Sequence, residues 1–240
     1  MNDPRLAIIP ARFDGVKRIV AVSSGKGGVG KSMLAVALAL SLRDAGNSVG
    51  LLDLDFTSPS THVILGVEGL YPEEEKGITP PITHGLSYMS IVHYSIDEPV
   101  PLRGADASSA IVELLAITRW RELDYLIIDM PPGIGDATLD MIRLIPRIEF
   151  LVVTTPSRLA YESVRKLLVL LNELGIPTLG VVENMAMEHT DFIKKETTKI
   201  KSHYLGVVDY DASVEAAIGK PEDLKKTSFY GQVSKLGKKL

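Results

Sequence analysis

The sequence predicts an α/β fold, a mostly parallel twisted sheet with helices on both faces, on three observations. Apolar β-branched or Leu-rich runs recur along the 240 residues and alternate with stretches of helical pattern. Those runs lack polar alternation, as expected of strands covered on both faces. Between the first run and the first helix lies a glycine-rich segment, Gly25-Lys26-Gly27-Gly28-Val29-Gly30-Lys31-Ser32.

Residues 1–17 mix Asp3, Arg5, Arg12 and Asp14 with two prolines and read as an irregular lead-in. They lack the continuous apolar core of a signal peptide. Residues 18–240 are expected to form one domain, a length common for single α/β domains. Strands are expected at 18–24, 49–54, 86–91, 123–129, 149–154 and 178–184. Helices are expected at 31–44, 105–118, 137–146, 158–174, 211–218 and 228–239. Gly46 and Gly175 stand just past two helix ends, where a left-handed cap favours glycine. Such alternation requires right-handed crossovers and gathers ligand sites at the carboxyl ends of the strands. Residues 68–85, Glu-rich and then rich in Gly and Pro, read as a long surface loop. Residues 187–203 hold mixed charges with little periodicity, so a mobile connection is expected. In the tail, Phe229, Val233, Leu236 and Leu240 recur at helical spacing beside Lys235, Lys238 and Lys239. A terminal helix packed on the domain is favoured there over one in contact with a membrane surface through residues 228–240.

Composition narrows the function. Apolar residues make up 45% of the chain, enough for a sizeable core, and the net charge is −4. That balance argues against a nucleic-acid-coating surface, so no nucleic-acid partner is expected. With no cysteine in the sequence, disulfides and thiolate metal sites are excluded, and a reducing compartment fits. The longest apolar run, near residues 33–42, is too short to span a bilayer, and a cytoplasmic protein is expected. The five histidines, at 62, 84, 93, 189 and 203, show no metal-ligand spacing.

The glycine-rich segment has the form G-x-x-x-x-G-K-[ST], set between Ile19-Val20-Ala21-Val22 and the run Met33 to Leu40. Its glycines let the main chain approach a ligand, and successive N–H groups make an anion nest. The helix that begins near Lys31 adds its positive dipole end. Lys31 is expected along the β- and γ-phosphates of a nucleotide and the Ser32 hydroxyl on Mg²⁺. Lys26 sits at the loop rim, either solvated or reaching a phosphate on a facing protomer. Asp53 and Asp55, two residues apart on a strand end, point the same way and suit a metal shell and the orientation of an attacking water. Asp129 closes an apolar strand in the Walker B manner. Met130-Pro131-Pro132-Gly133 follows, a stiff turn whose Gly133 N–H is placed to meet a γ-phosphate; Asp136 also suits a helix N-cap. Asn184 either reads adenine through its amide or forms a turn.

These residues carry a resemblance. Lys26-Gly27-Gly28-Val29-Gly30-Lys31-Ser32 resembles the deviant Walker A of the MinD/ParA-like ATPases, and within them the Mrp (ApbC-like) group of iron-sulfur cluster carriers. Further matching stretches are Asp53-Leu54-Asp55 with Ser58-Pro59-Ser60, Leu102-Arg103-Gly104, residues 120–129, Pro131-Pro132-Gly133 with Gly135-Asp136, residues 152–156 and residues 179–185. The resemblance covers roughly residues 17–220 and implies a P-loop NTPase fold and a slow ATPase. It implies a dimer with ATP between the faces, either a homodimer or a heterodimer with a related ATPase. By it, Lys26, Lys31 and Asp55 are catalytic, with Lys26 reaching the partner's nucleotide and Asp55 orienting water. The nucleotide falls to residues Gly25, Lys26, Gly27, Gly28, Val29, Gly30, Lys31, Ser32, Met33 and Asn184, and Mg²⁺ to Ser32, Asp53 and Asp129. Iron-sulfur apoproteins are implied as partners. The sequence departs from the family where its members carry C-x-x-C: Asn184-Met185 is followed by Ala186-Met187-Glu188-His189-Thr190-Asp191, so no iron-sulfur cluster is expected through cysteine. Ser58 replaces a frequent glycine, and a proline typical near Val207-Val208-Asp209 is missing. The alternative is a MinD-like ATP-dependent positioning or regulatory switch; a small-molecule kinase and a DNA-partitioning ATPase fit less well.

Overall fold

The computed structural model describes residues 3–56, 58–74, 77–91 and 105–240. The chain opens with α1 (Arg5–Ile8) and a 3-10 turn at Pro10–Phe13, then β1 (Val16–Ser24), α2 (Lys31–Asp44), β2 (Val49–Asp53) and α3 (Thr61–Leu65). Four strands follow, β3 (Glu73–Glu74), β4 (Ile78–Thr79), β5 (Ile82–Thr83) and β6 (Leu86–Ser90). Next come α4 (Ala105–Ile117), β7 (Leu123–Asp129), α5 (Asp136–Leu144), β8 (Ile148–Thr154) and α6 (Arg158–Glu173). The chain continues with β9 (Thr178–Ala186), α7 (Phe192–Lys199), β10 (Tyr204–Asp209), α8 (Ser213–Ala216), α9 (Pro221–Leu224) and α10 (Ser228–Gly237).

The main sheet runs β10-β9-β8-β1-β7-β2-β6-β5. All its pairs are parallel except β5 against β6, so the expected mostly parallel sheet is present. The missing polar alternation has a direct cause. Ile19 and Ala21 of β1 enter one apolar layer, with Leu126 and Ile128 of β7 and Leu167 and Leu171 of α6. Val20 and Val22 enter the opposite layer, with Ile127, with Leu34 and Leu38 of α2, and with Phe229 and Val233 of α10. Both strand faces are covered, so both carry apolar side chains.

Four expectations are corrected. The lead-in is not irregular: Ile9 and Phe13 are wholly buried, and Arg12 Nε donates to Ala116 O at 2.6 Å, joining it to α4. The charged stretch 187–203 contains α7, whose Ile193 and Thr197 are buried while its charges face solvent. A further strand, β10, follows it; its Gly206 (φ 155°) and register shifts blur the pattern in sequence. The expected helix 211–218 is shorter, at Ser213–Ala216, and the loop 68–85 holds the antiparallel pair β3–β4. The matching stretch Leu102-Arg103-Gly104 and His93 lie outside the described residues. Gly46 (φ 94°) and Gly175 (φ 68°) adopt the left-handed conformation expected after α2 and α6. The apolar face of α10 is occupied by the domain, as the tail's pattern favoured: Phe229, Tyr230, Val233 and Leu236 are buried, and the Tyr230 hydroxyl donates to Asp44 at 2.6 Å.

Candidate nucleotide site

The glycine-rich loop leaves β1 at Ser24 and becomes α2 at Lys31. Gly28 (φ 78°) and Gly30 (φ 76°) take left-handed backbone that costs other residues strain. Gly25 is needed for another reason. A Cβ there would stand 2.5 Å from the Ser163 carbonyl carbon and 2.6 Å from Val164 N, so the loop begins pressed against the backbone of α6. The far end is held by Asn184, whose Nδ2 donates to Val29 O at 2.9 Å. That amide lies so close that a Cβ on Gly30 would meet it at 2.5 Å. Asn184, expected at an adenine, thus braces the loop. It also lines a cavity of about 130 Å³ beside it, with Gly30, Met33, Met185, Tyr210 and Phe229.

Parallel pairing brings the carboxylates together. Asp53 of β2 is in register with Asp129 of β7, and Asp129 with Val22 of β1, so both acids stand at the carboxyl edge beside the loop. Lys31, 6% exposed, turns its Nζ to the wholly buried Asp129 Oδ1, and lies 3.2 Å from Ser32 Oγ. Burial pushes the Asp129 carboxyl up to about 6, while the Lys31 charge pulls it down. Its other oxygen, Oδ2, is buried and has no hydrogen-bond partner among the described residues. A bare carboxylate oxygen near a helix-first hydroxyl suits a hydrated hard cation. Among the described residues no three His, Cys, Asp or Glu side chains are grouped to hold a metal, so Mg²⁺ would need phosphate and water oxygens as well.

Asp53, expected in the metal shell, has both oxygens engaged by protein donors. Oδ1 accepts from Asp55 N at 3.0 Å; Oδ2 accepts from Thr61 Oγ1 at 2.6 Å and Thr61 N at 3.2 Å. Its pKa is raised by burial, against these hydrogen bonds. Asp55 is buried, with Oδ1 accepting from Ser58 N at 3.2 Å. Lys26 is exposed at the loop rim. Gly133 N–H, expected to meet a γ-phosphate, donates instead to Ser24 O at 2.8 Å and ties its turn to the end of β1. Asp136 opens α5, after Gly135 as the cap residue. Thr61, Tyr210 and Phe229 at this site belong to no motif, and only the folded chain brings them here. A larger cavity of about 350 Å³ is lined by residues including Glu183, His189, Lys194 and Tyr204 and by no residue of the loop.

With this geometry in view, the similarities are informative. The profile described as ParA, NUBPL iron-transfer P-loop NTPase, matches residues 15–217. The chain belongs to this family. It is 38% identical over 245 aligned positions to the iron-sulfur cluster carrier protein of Escherichia coli (strain K12), covering 92% of this chain and 66% of that protein. It is 42% identical over 183 positions to that of Saccharolobus solfataricus, covering 74% and 62%. The chain thus spans about half to two thirds of these curated relatives, 48% for the Salmonella typhimurium protein. Among solved structures, a nucleotide-binding protein from Archaeoglobus fulgidus in complex with ADP superposes with a TM-score of 0.78 at 28% identity, covering 95% of this chain and 96% of that one. The cell division ATPase MinD of Pyrococcus furiosus shares the fold, with a TM-score of 0.67 at 20% identity over 93% and 98%. This member of the NUBPL-type family has no cysteine.

Proposed function

We propose that the protein binds Mg-ATP and hydrolyses it slowly as a dimer, and serves iron-sulfur assembly as a nucleotide-driven partner or subunit without holding a cluster on its own thiolates. One observation carries the reading: a family phosphate loop, complete in its two lysines and braced by Asn184 and α6, stands in a chain without cysteine. The loop N–H groups and the start of α2 bind the phosphates. Lys31 leaves Asp129 for the β- and γ-oxygens, exchanging one anionic partner for another. Ser32 and the free Asp129 Oδ2 are the residues to hold Mg²⁺, which when bound neutralises phosphate charge. Asp55 orients the attacking water once its loop turns toward the nucleotide, and the exposed Lys26 reaches a partner's nucleotide. Catalysis is then positioning and charge stabilisation, without a covalent intermediate.

The test uses the full chain. Calorimetry with Mg-ATP should show binding to the wild type and none to Lys31→Ala; equal affinity would remove the loop from the mechanism. Asp55→Ala loaded with Mg-ATP should then capture iron-sulfur proteins or a cysteine-bearing relative from native extract. Capture of division or signalling proteins alone would favour a MinD-like switch.

A further inference from the structure

The loop carrying Asp55 is closed from behind by a buried hydroxyl pair. Asp53 links its two ends, taking Asp55 N on one oxygen and the backbone and side chain of Thr61 on the other. Thr61 Oγ1 is in turn 2.9 Å from the hydroxyl of Tyr88. Tyr88 belongs to β6, the neighbour of β2, and Ser90 of the same strand is in register with Asp53. Asp53, Thr61 and Tyr88 are each wholly buried. Thr61 donates its one hydroxyl proton to the carboxylate, which leaves the Tyr88 hydroxyl as the donor to Thr61. The hydrogen-bond direction therefore runs from β6 through the first residue of α3 into Asp53, which accepts from the amide of Asp55 on its other oxygen. Buried groups linked in this way resist rearrangement, because a hydrogen bond broken away from water is not replaced by one to solvent.

We infer that Thr61 and Tyr88 are positioning residues for nucleotide hydrolysis, acting through Asp53 to set the backbone on which Asp55 is presented. This rests on the ATPase reading above. Asp53 is then a strut, its oxygens committed to the loop that bears Asp55 and to α3. Neither Thr61 nor Tyr88 lines the cavity beside Gly30 and Asn184, so nucleotide affinity and hydrolysis should separate when the pair is broken.

The experiment compares Thr61→Val, Thr61→Ser and Tyr88→Phe in the full chain. Valine keeps the shape of threonine and removes the link, and serine restores it. Thr61→Val should lower kcat about tenfold, the loss of one charge-assisted hydrogen bond at the loop. KM and the Mg-ATP affinity should stay within about twofold, since the phosphate loop is untouched. Tyr88→Phe should give a smaller fall, and Thr61→Ser should recover most of the wild-type rate. A second readout does not need turnover: hydrogen exchange at the Asp55 amide should speed up in Thr61→Val and stay slow in Thr61→Ser. Unchanged exchange at Asp55 in Thr61→Val would overturn the positioning role whatever the enzyme does. So would a rate and an affinity that fall together. A wild type that neither binds nor hydrolyses ATP would remove the ATPase reading instead, while the exchange result still decides whether the pair holds the loop.

Discussion

Replacing each of three loop glycines by alanine should give three different results, because the loop is fixed by close approach at its ends and is open in its middle. At Gly25 the added methyl would stand 2.5 Å from the Ser163 carbonyl carbon, 2.6 Å from Ser163 Cβ and 2.6 Å from Val164 N. Two of these are backbone atoms of α6, whose Val164, Leu167 and Leu168 are buried in the core, so the helix has little room to retreat. Overpacking of this kind costs about 2–3 kcal/mol. For a chain of this size each kcal/mol moves Tm by about 2–4 °C, so Gly25→Ala should melt roughly 4–12 °C lower. Gly27→Ala meets nothing within 4 Å and has no positive φ, so its Tm should stay within about 2 °C of wild type. Gly30→Ala falls between them: it strains a left-handed residue and displaces the Asn184 amide, a flexible neighbour, so about 1–2 kcal/mol is expected. Nucleotide-free calorimetry reads the three side by side. A Gly25→Ala protein that melts with the wild type, or a Gly27→Ala protein that melts far below it, would refute the placement of the loop against α6.

Three further expectations follow from the same contacts. Lys31→Ala leaves Asp129 buried without its cation, so its pKa rises beyond about 6 and the native state takes up a proton that the unfolded chain, near 3.8, releases; the variant should lose stability as pH rises through that value, and Lys31→Ala/Asp129→Asn should recover it, checked by urea titrations at several pH values. Removing residues 228–240 should leave a chain that fails to fold cooperatively, because Phe229, Val233 and Leu236 each contribute about 1.5–3 kcal/mol of burial; a truncated protein with normal circular dichroism and melting would count against this. Asp124 is held down to about 2, chiefly by its hydrogen bond from Lys17 and then by Ser48, so its contribution is complete above about 3.8 and fades as pH falls toward 2; Asp124→Asn should be less stable than wild type at neutral pH and lose less stability along that acid limb, so that the two converge near pH 2, checked by urea titrations across that range.

How much was legible in the sequence depended on whether the signal was local. The strands at 123–129 and 49–53 could be read because burial on both faces demands an unbroken apolar run. The phosphate loop could be read because backbone geometry demands glycines at set positions. In β10, only Leu205 and Val208 are buried and Gly206 interrupts the run, so its pattern was too weak to name it. In α7, eight residues with two buried side chains gave too short a stripe. Ile9 and Phe13 looked like stray apolar residues because their partners, in α4 and beyond, come about a hundred positions later.

The sequence by itself determined six strands of the sheet, the loop between β1 and α2, and the acids at the strand ends, since each follows from local backbone rules. Only the tertiary structure decided which partner each polar group takes. Lys31 meets Asp129 across 98 positions and Asn184 meets Val29 across 155. Asp53 turns to Thr61 and through it to Tyr88. Such pairings depend on strand order and register, which a chain acquires only when its non-local contacts close and every buried donor must find an acceptor.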